Sequence, residues 1–361
     1  MRIVYVVGTR PNFVKMAPVI AALRRRLPDA RHAIVHTGQH YDRLMSEIFV
    51  EELGVPEPEH TLGVGSGTHG EQTARVIERL EPVLAEERPD LVLVPGDVNS
   101  TLAAALTAAK LRIPLGHVES GLRSFDRSMP EEINRMVADQ LSDLLFLHSE
   151  DAAENLRREG IGEERMHFVG NTMIDTLVAL EGRFRAAGTP RRLGLEEGAY
   201  LLVTLHRPAL VDGPLLSESM TRLAAVGREL PVVFPVHPRT RKMLGASGNE
   251  HPGVTLTDPV GYIDFLSLEA GAAAVLTDSG GIQEETTYLD VPCFTLRANT
   301  ERPVTVRAGT NTVLGLDPAR ISEIPALLAG HDGEHGDPPP LWDGRAAERV
   351  ADVICTGSEP G

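Results

Sequence analysis

The chain has 361 residues. That exceeds the roughly 250–300 residues at which one hydrophobic core stops growing, so two domains of ordinary size are expected. The formal charge of −16 excludes a general nucleic-acid or anionic-membrane surface, because such surfaces gain affinity from a basic face. The two cysteines, Cys293 and Cys355, exclude a disulfide framework, and no apolar stretch approaches the roughly 20 residues that a membrane span needs. These features predict a cytoplasmic protein.

Short apolar runs alternate with amphipathic stretches along the whole chain. The predicted strands of the first half are Arg2–Val7, Ala33–His36, Leu91–Val94, Leu115–Val118 and Leu144–Leu147. Those of the second half are Tyr200–Thr204, Val232–Pro235, Val254–Leu256, Ala273–Leu276 and Pro292–Thr295. Helical spacing follows many of them, as in Val14–Arg26, Glu71–Glu87 and Ser100–Leu111. This alternation predicts an α/β protein with parallel sheets covered on both faces. The first run is interpreted as a strand and not as a signal peptide, since no small-residue cleavage site follows it.

A polar segment rich in Gly and Arg, Glu181–Gly198, divides the predicted strands into two sets of five. We therefore expect an N-terminal domain over 1–180 and a C-terminal domain over 190–335. After a tail rich in Gly, Pro, His and Asp, a helical pattern returns at 343–355, and we expect this helix to pack on the first domain.

The turn after the first strand carries two cations, Arg10 and Lys15, in the sequence Gly8-Thr9-Arg10-Pro11-Asn12-Phe13-Val14-Lys15. It is neither a Walker loop nor a GxGxxG motif. A basic helix start still binds anions through its N–H groups and side chains. The competing interpretation is a solvated turn with two surface cations.

A second candidate anion site follows the strand Ala273–Leu276, in the sequence TDSGGIQEE (277–285). Ser279 is expected to cap the next helix, and Gly280 and Gly281 let a phosphate approach the amides of the first turn. Arg302 follows the next strand and offers a further cation. A tight turn without a ligand would also use two glycines.

Four potential acid–base groups also lie near the ends of strands or at helix starts: Asp97, Glu119, Glu131 and His206. Ligands of open α/β sheets bind at the carboxyl ends of strands, so we expect these groups to serve chemistry. Taken singly, Glu131 fits a capping carboxylate and His206 a structural histidine.

From about residue 2 to residue 315 the chain resembles the non-hydrolysing UDP-N-acetylglucosamine 2-epimerases. The motifs that carry the resemblance are GTRPNFVK (8–15), TGQHYDRLMSEIF (37–49), GDVNST (96–101), HVESGLRSFDRSMPEEINR (117–135), VGNTMID (169–175), TLHR (204–207), HPRT (237–240), TDSGGIQEE (277–285) and TERPVTVRAGTN (300–311).

The resemblance implies two Rossmann-like domains in a GT-B-like arrangement, with a UDP-sugar in the interdomain cleft and no metal or other cofactor. It also implies a homodimer. The residues expected to face sugar and diphosphate are Arg10, Lys15, Asp97, Glu119, Glu131, Arg135 and His206. Those expected to bind phosphate, ribose, uracil or other parts of the substrate are Ser279, Gly280, Gly281, Glu285, Phe265, His237 and Arg302.

The implied reaction is inversion at C2 of the sugar, where no adjoining carbonyl makes the proton acidic. Departure of UDP from C1 would make C2–H labile and leave a 2-acetamidoglucal. Readdition of UDP, with protonation on the opposite face of C2, would give the manno epimer. Asp97, Glu119 and Glu131 are the expected acid–base set, with His206 beside the diphosphate.

Two segments depart from the family pattern. Pro208-Ala209-Leu210 stands where the family usually has a Glu-Asn pair, and Gln39-His40-Tyr41-Asp42 differs from members activated by a second UDP-sugar. The latter segment resembles relatives that act on diacetamido uronic acid nucleotides, so the exact sugar stays open. A hydrolysing epimerase, a GT-B glycosyltransferase and a non-catalytic sugar-nucleotide sensor also stay open, since a fold does not fix a function.

Overall fold

The computed structural model describes residues 1–38, 52–236, 238–244, 251–330 and 338–357. His237 and the segment Gln39-His40-Tyr41-Asp42 therefore lie outside the described residues. The chain divides into two compact units, unit 1 (Met1–Ala179 with Pro340–Gly361) and unit 2 (Leu180–Pro339). Each unit contains its own parallel sheet, which confirms the predicted α/β class. Within the described part of the chain, no helix is both apolar and long enough to cross a bilayer.

Unit 1 is a seven-stranded sheet with helices on both faces. Its strands are β1 (Arg2–Val7), β2 (Arg31–His36), β3 (His60–Thr61), β4 (Leu91–Pro95), β5 (Leu115–Ser120), β6 (Leu144–Leu147) and β7 (Met166–Phe168). Its helices are α1 (Arg10–Arg26), α2 (His69–Glu87), α3 (Asn99–Leu111), α4 (Pro130–Leu141), α5 (Glu150–Arg158) and α6 (Thr172–Ala187, continuing into unit 2), with a 3₁₀ turn at Glu163–Arg165. The strand order is β3-β2-β1-β4-β5-β6-β7.

Unit 2 repeats the same plan with six strands. They are β8 (Leu201–Thr204), β9 (Val232–Pro235), β10 (Val254–Thr257), β11 (Ala274–Thr277), β12 (Cys293–Thr295) and β13 (Asn311–Val313), in the order β10-β9-β8-β11-β12-β13. The helices are α7 (Thr189–Arg192), α8 (Pro208–Val211), α9 (Pro214–Val226), α10 (Pro238–Leu244), α11 (Tyr262–Ala270), α12 (Gly280–Leu289), α13 (Pro303–Arg307) and α14 (Ile324–Ala329), with a 3₁₀ helix at Pro318–Glu323.

The C-terminal helix α15 (Ala346–Thr356) belongs to unit 1 and packs on α1. Its buried residues, among them Val350 and Ile354, join the apolar cluster that contains Ile20 and Leu23 of α1. Helices α2 and α3 cover the opposite face of the sheet, against a second cluster that includes Val4 and Val6 of β1. Because helices cover both faces of this sheet, the sequences of its strands are continuous apolar runs.

Three short strands, β3, β7 and β13, extend the sheets beyond the five strands predicted for each half. They have only two or three residues each. Such segments are too short for an apolar periodicity, and their pairing with a neighbouring strand defines them as strands.

Candidate active site

The strand order of each sheet reverses at one central pair, β1/β4 in unit 1 and β8/β11 in unit 2. Ligands of open parallel sheets bind beyond the carboxyl ends of the strands at this switch point. In unit 1 the loops at this point lead to Arg10 and Asp97. In unit 2 they carry His206 and Ser279. The topology thus brings these four sequence-predicted residues to the switch point of their own unit.

The turn after β1 is shaped by Asn12. Its Oδ1 accepts hydrogen bonds from the amides of Gly8 at 3.0 Å and Thr9 at 3.2 Å. Gly8 packs so closely on Ser100 that a Cβ there would lie 2.4 Å from the Ser100 Oγ atom. Arg10 is half-buried where α1 begins. The turn therefore holds the start of α1 close to the loop after β4.

Glu119 forms an ion pair with Lys15, and both side chains are buried. Its φ of 66° lies in the left-handed region, at an irregularity in the β5–β6 pairing. Val118 packs in the cluster of α1 and His117 meets α4, so regular alternation would turn Glu119 towards α4. The irregularity directs it to Lys15 of α1 instead, and such backbone strain is common at functional sites.

Asp97 forms an ion pair with Arg135, whose guanidinium is buried. Nη1 of Arg135 also lies 2.9 Å from Oε2 of Glu132. Glu132 in turn accepts hydrogen bonds from the amides of Ser124 and Phe125, each at 2.9 Å. Arg135 is thereby fixed between two carboxylates.

The two ion pairs of unit 1 lie around Gly96. A Cβ at this position would lie 3.1 Å from Nζ of Lys15 and 3.4 Å from Oε2 of Glu119. Each carboxylate has its own cation, which offsets the cost of desolvating two like charges. Glu131 is half-buried in the first turn of α4. A cluster of this kind can take up and return a proton.

His206 and Asp278 form the equivalent polar centre of unit 2. The Nδ1 atom of His206 lies 3.0 Å from Oδ1 of Asp278, while Oδ2 of Asp278 accepts the amides of His206 at 2.9 Å and Arg207 at 2.8 Å. Burial by itself raises the pKa of Asp278, but the His206 ring and these amides lower it below its ordinary value. An ionised Asp278 therefore orients the half-exposed His206 ring.

The sequence Ser279-Gly280-Gly281 begins helix α12. Ser279 occupies the N-cap position, as predicted, but its side chain makes no capping hydrogen bond. Gly280 is buried against Arg302, and a Cβ there would lie 2.3 Å from Nη1 of that arginine. The Arg302 Nε atom also lies 2.9 Å from Oε1 of Glu284. This glycine thus lets a buried guanidinium reach the N-terminus of α12, where anions bind.

Glu285 is buried one turn further along α12. Its Oε1 atom accepts a hydrogen bond from the Tyr262 hydroxyl at 2.6 Å. Burial, together with the neighbouring charge of Glu284, raises the pKa of Glu285 to about 7 despite the Tyr262 hydrogen bond. Phe265, on α11, is partly buried against the apolar cluster of this face.

Three supporting residues were missed by the sequence reasoning: Asn12, Glu132 and Asp278. Each lies inside one of the motifs that carry the resemblance, within two residues of a candidate. As polar residues in a loop or a first helical turn, however, they have no distinctive spacing. The departure at Pro208-Ala209-Leu210 forms helix α8, and Leu210 packs into the apolar core of unit 2. Leu210 is therefore an apolar anchor for this segment.

Comparisons with known proteins identify the family of this chain. A family model described as UDP-N-acetylglucosamine 2-epimerase matches residues 22–355. A UDP-N-acetylglucosamine 2-epimerase of Methanococcus maripaludis is 40% identical over 98% of this chain and 98% of its own length. A UDP-2,3-diacetamido-2,3-dideoxy-D-glucuronate 2-epimerase of Pseudomonas aeruginosa is 39% identical over 98% of this chain and 99% of its own length.

A solved structure gives the same result at the level of the fold. The UDP-GlcNAc 2-epimerase of Methanocaldococcus jannaschii, in complex with UDP-GlcNAc and UDP, matches with a TM-score of 0.89 and 39% identity, covering 99% of this chain and all of that one. The family match spans most of the chain, and the relatives match nearly end to end. The chain therefore belongs to the UDP-N-acetylglucosamine 2-epimerase family.

Proposed function

We propose that this enzyme interconverts UDP-N-acetylglucosamine and UDP-N-acetylmannosamine by inverting C2, without releasing free sugar. The observation that carries the proposal is the pair of carboxylates, Asp97 and Glu119, each paired with a buried cation at the switch point of unit 1. Relatives with this activity in their names match nearly the whole chain, and one was solved with UDP-GlcNAc and UDP bound.

The chemistry begins with cleavage of the bond between C1 and the diphosphate oxygen. UDP leaves with the electron pair of that bond, a carboxylate takes the proton from C2, and the C–H electrons form the C1=C2 bond of 2-acetamidoglucal. UDP then adds back to C1 while a proton is delivered to the opposite face of C2. Atoms and charges balance without an external oxidant or reductant.

We assign the proton transfers to Asp97, Glu119 and Glu131, and the leaving diphosphate to fixed positive groups. These groups are Arg10, Arg302, His206 and the first-turn amides of α12, which can stabilise the developing charge without reorganising. Glu285 and Phe265 are assigned to ribose and uracil. Positioned acids and bases contribute roughly 10²–10⁴ in rate, so each carboxylate is required for turnover.

The test is incubation with UDP-GlcNAc in D₂O, followed by proton and phosphorus NMR. We expect UDP-ManNAc with deuterium at C2. An unlabelled product contradicts the elimination route, and free N-acetylmannosamine with UDP identifies a hydrolysing enzyme instead.

Variants test which carboxylates transfer protons during turnover. Asp97→Asn, Glu119→Gln and Glu131→Gln are expected to lower kcat by roughly 10²-fold or more while the circular dichroism spectrum is unchanged. Glu78→Gln, on the exposed face of α2, is the matched control and should have wild-type kcat. Normal turnover in all three site variants would remove these residues from the mechanism.

A second substrate is favoured by one specific relative. The Pseudomonas aeruginosa protein named for a UDP-diacetamido glucuronate is nearly as similar as the UDP-GlcNAc epimerases. Parallel NMR assays with both nucleotides decide between them, because the preferred substrate will have the higher kcat/KM. We further propose a cytoplasmic homodimer, and light scattering of the purified protein tests its assembly.

A further inference from the structure

His117 is a buried histidine that the proposed mechanism does not use. It lies on β5, two residues before Glu119, and has no solvent exposure. Its Nε2 atom lies 2.7 Å from the carbonyl oxygen of Gly96. Its Nδ1 atom lies 2.7 Å from Oδ1 of Asp139, on α4. Both ring nitrogens therefore make short hydrogen bonds.

The partners of the ring determine where its protons lie. A backbone carbonyl only accepts, so Nε2 must carry a proton. Burial by itself raises the pKa of Asp139, but the His117 ring and the Arg123 guanidinium lower it below its ordinary value. Oδ2 of Asp139 accepts the Gly121 amide at 3.1 Å and lies 2.7 Å from Arg123. Next to an ionised Asp139, Nδ1 must be the donor of its bond, so this geometry calls for a proton on each ring nitrogen.

The Gly96 carbonyl that receives Nε2–H belongs to the peptide joining Gly96 to Asp97. Gly96 has a φ of 62°, and its amide donates to the carbonyl of Val118 at 3.0 Å. The next carbonyl, that of Asp97, accepts from Nδ2 of Asn134 at 2.8 Å. The turn that carries Asp97 is thus held by hydrogen bonds on successive backbone groups.

The His117 ring also belongs to a largely buried chain of polar and charged groups. Asp139 links His117 to Arg123, and Arg123 donates through Nε and Nη2 to Glu159 at 2.7 and 2.6 Å. Lys15 and Glu119 also lie close to Gly96. A neutral ring would place a lone pair against a carbonyl or carboxylate oxygen, which is costly in a buried site.

We propose that His117 is a positioning residue whose doubly protonated imidazolium, held by Asp139, clamps the Gly96–Asp97 peptide and so aims the Asp97 carboxylate. This inference rests on the proposed function, because the role of Asp97 does. The charge state of the ring, however, is measurable without any turnover.

The first experiment is a long-range proton–nitrogen NMR correlation of the full-length protein labelled with ¹⁵N-histidine. His117→Gln assigns the signal among the 13 histidines. At neutral pH we expect both ring nitrogens of His117 to be protonated. A ring with one unprotonated nitrogen overturns the proposal, whatever the activity.

The second experiment separates charge from shape. In Asp139→Asn the amide can donate to Nδ1, so the ring is expected to become neutral while keeping Nε2–H on the Gly96 carbonyl. We expect kcat to fall roughly 10- to 100-fold in Asp139→Asn and His117→Gln with KM little changed. Wild-type kcat in both variants overturns the positioning role.

The matched control is His32→Gln. The His32 ring is also bonded at both nitrogens, to the Tyr5 hydroxyl at 2.7 Å and the Leu27 carbonyl at 3.1 Å, but it lies near the amino end of β2. Its kcat should be unchanged. If the site variants misfold, triple-resonance spectra of the wild-type protein assign the His117 ring signal instead, and the charge state is still decided. If Asp97→Asn turns over normally, the proposed function fails while the ring measurement stands.

Discussion

At the scale of single residues, two glycines of the candidate site lie close to charged side chains. Gly96 accommodates the Lys15–Glu119 pair, and Gly280 accommodates the guanidinium of Arg302. In both cases the small residue leaves space for a charged group, and in the case of Gly280 the group is a cation beside a helix N-terminus. This places a full charge where the helix amides already favour an anion.

Gly280→Ala tests this packing in unit 2. The new Cβ would lie 2.3 Å from Nη1 of Arg302, so the guanidinium must move from the N-terminus of α12. Loss of one charge-assisted contact costs about 1.5–3 kcal/mol, and we expect the Kd for UDP to rise roughly 10- to 100-fold by isothermal titration calorimetry.

Gly182→Ala is the control for that measurement. It lies in helix α6, and nothing lies within 4 Å of the added Cβ. We expect unchanged UDP affinity and a gain in stability of about 0.5–1 kcal/mol from the better helix former. Equal UDP affinity in wild type and Gly280→Ala would show that Arg302 does not act through this position.

At the scale of elements, α15 is fixed to unit 1 by a carboxylate from another helix. Asp175 of α6 accepts hydrogen bonds from the amides of Ala346 at 3.0 Å and Ala347 at 2.6 Å, which are the first two residues of α15. Free amides of a first helical turn need such acceptors. The helix therefore begins at a defined point on unit 1.

Asp175→Asn tests the electrostatic cost of this cap. Burial raises the pKa of Asp175 from 3.8 to about 6, despite the two amide bonds. Between these values the folded chain holds a proton that the unfolded chain releases, so the free energy of unfolding falls as pH rises, by at most about 3 kcal/mol. Asn keeps an acceptor and does not titrate. As the pH rises from 3.8 to about 6, we therefore expect the Tm of the variant to increase relative to the Tm of the wild type.

Differential scanning calorimetry at several pH values between 3.8 and about 6 measures this difference in Tm. The control Glu78→Gln removes an exposed carboxylate from α2, and its Tm should change with pH in the same way as that of the wild type. Parallel curves for Asp175→Asn and wild type would contradict a pKa of Asp175 raised by burial.

At the scale of the whole molecule, the two units have separate apolar cores. Val350 of α15 is fully buried in the cluster that contains β1 and α1, while Val226 of α9 is buried in the cluster that contains β8 and β9. Because each cluster is assembled from one unit, a core defect should weaken that unit first.

Val350→Ala is expected to lower the stability of unit 1 by about 1–3 kcal/mol, because two methyl groups leave a packed site. Hydrogen exchange followed by mass spectrometry should show faster exchange within unit 1 and little change in unit 2. Val226→Ala should give the reverse pattern. Equal loss of protection in both units after either substitution would mean that they unfold as one.

Sequence patterns determined the fold class well because buried parallel strands and their covering helices have strong periodicities. β1 has the bounds predicted for it, Arg2–Val7. The patterns did not predict β3, β7 and β13, because these strands are short and are defined by their pairing with a neighbouring strand. They also left open the loop at Pro208-Ala209-Leu210, since no pattern predicts that Leu210 packs inward.

By itself, the sequence determined the two parallel-sheet halves, the family and the identity of the candidate groups at strand ends, because local periodicity and long motifs carry that information. Only the tertiary structure decided their partners. The turn of Glu119 towards Lys15, the bridging of Asp97 and Glu132 by Arg135, and the two short bonds of His117 each join residues that are distant in the chain or lie on different elements. Such contacts depend on strand order, on a local irregularity in β5 and on burial, none of which a local pattern encodes.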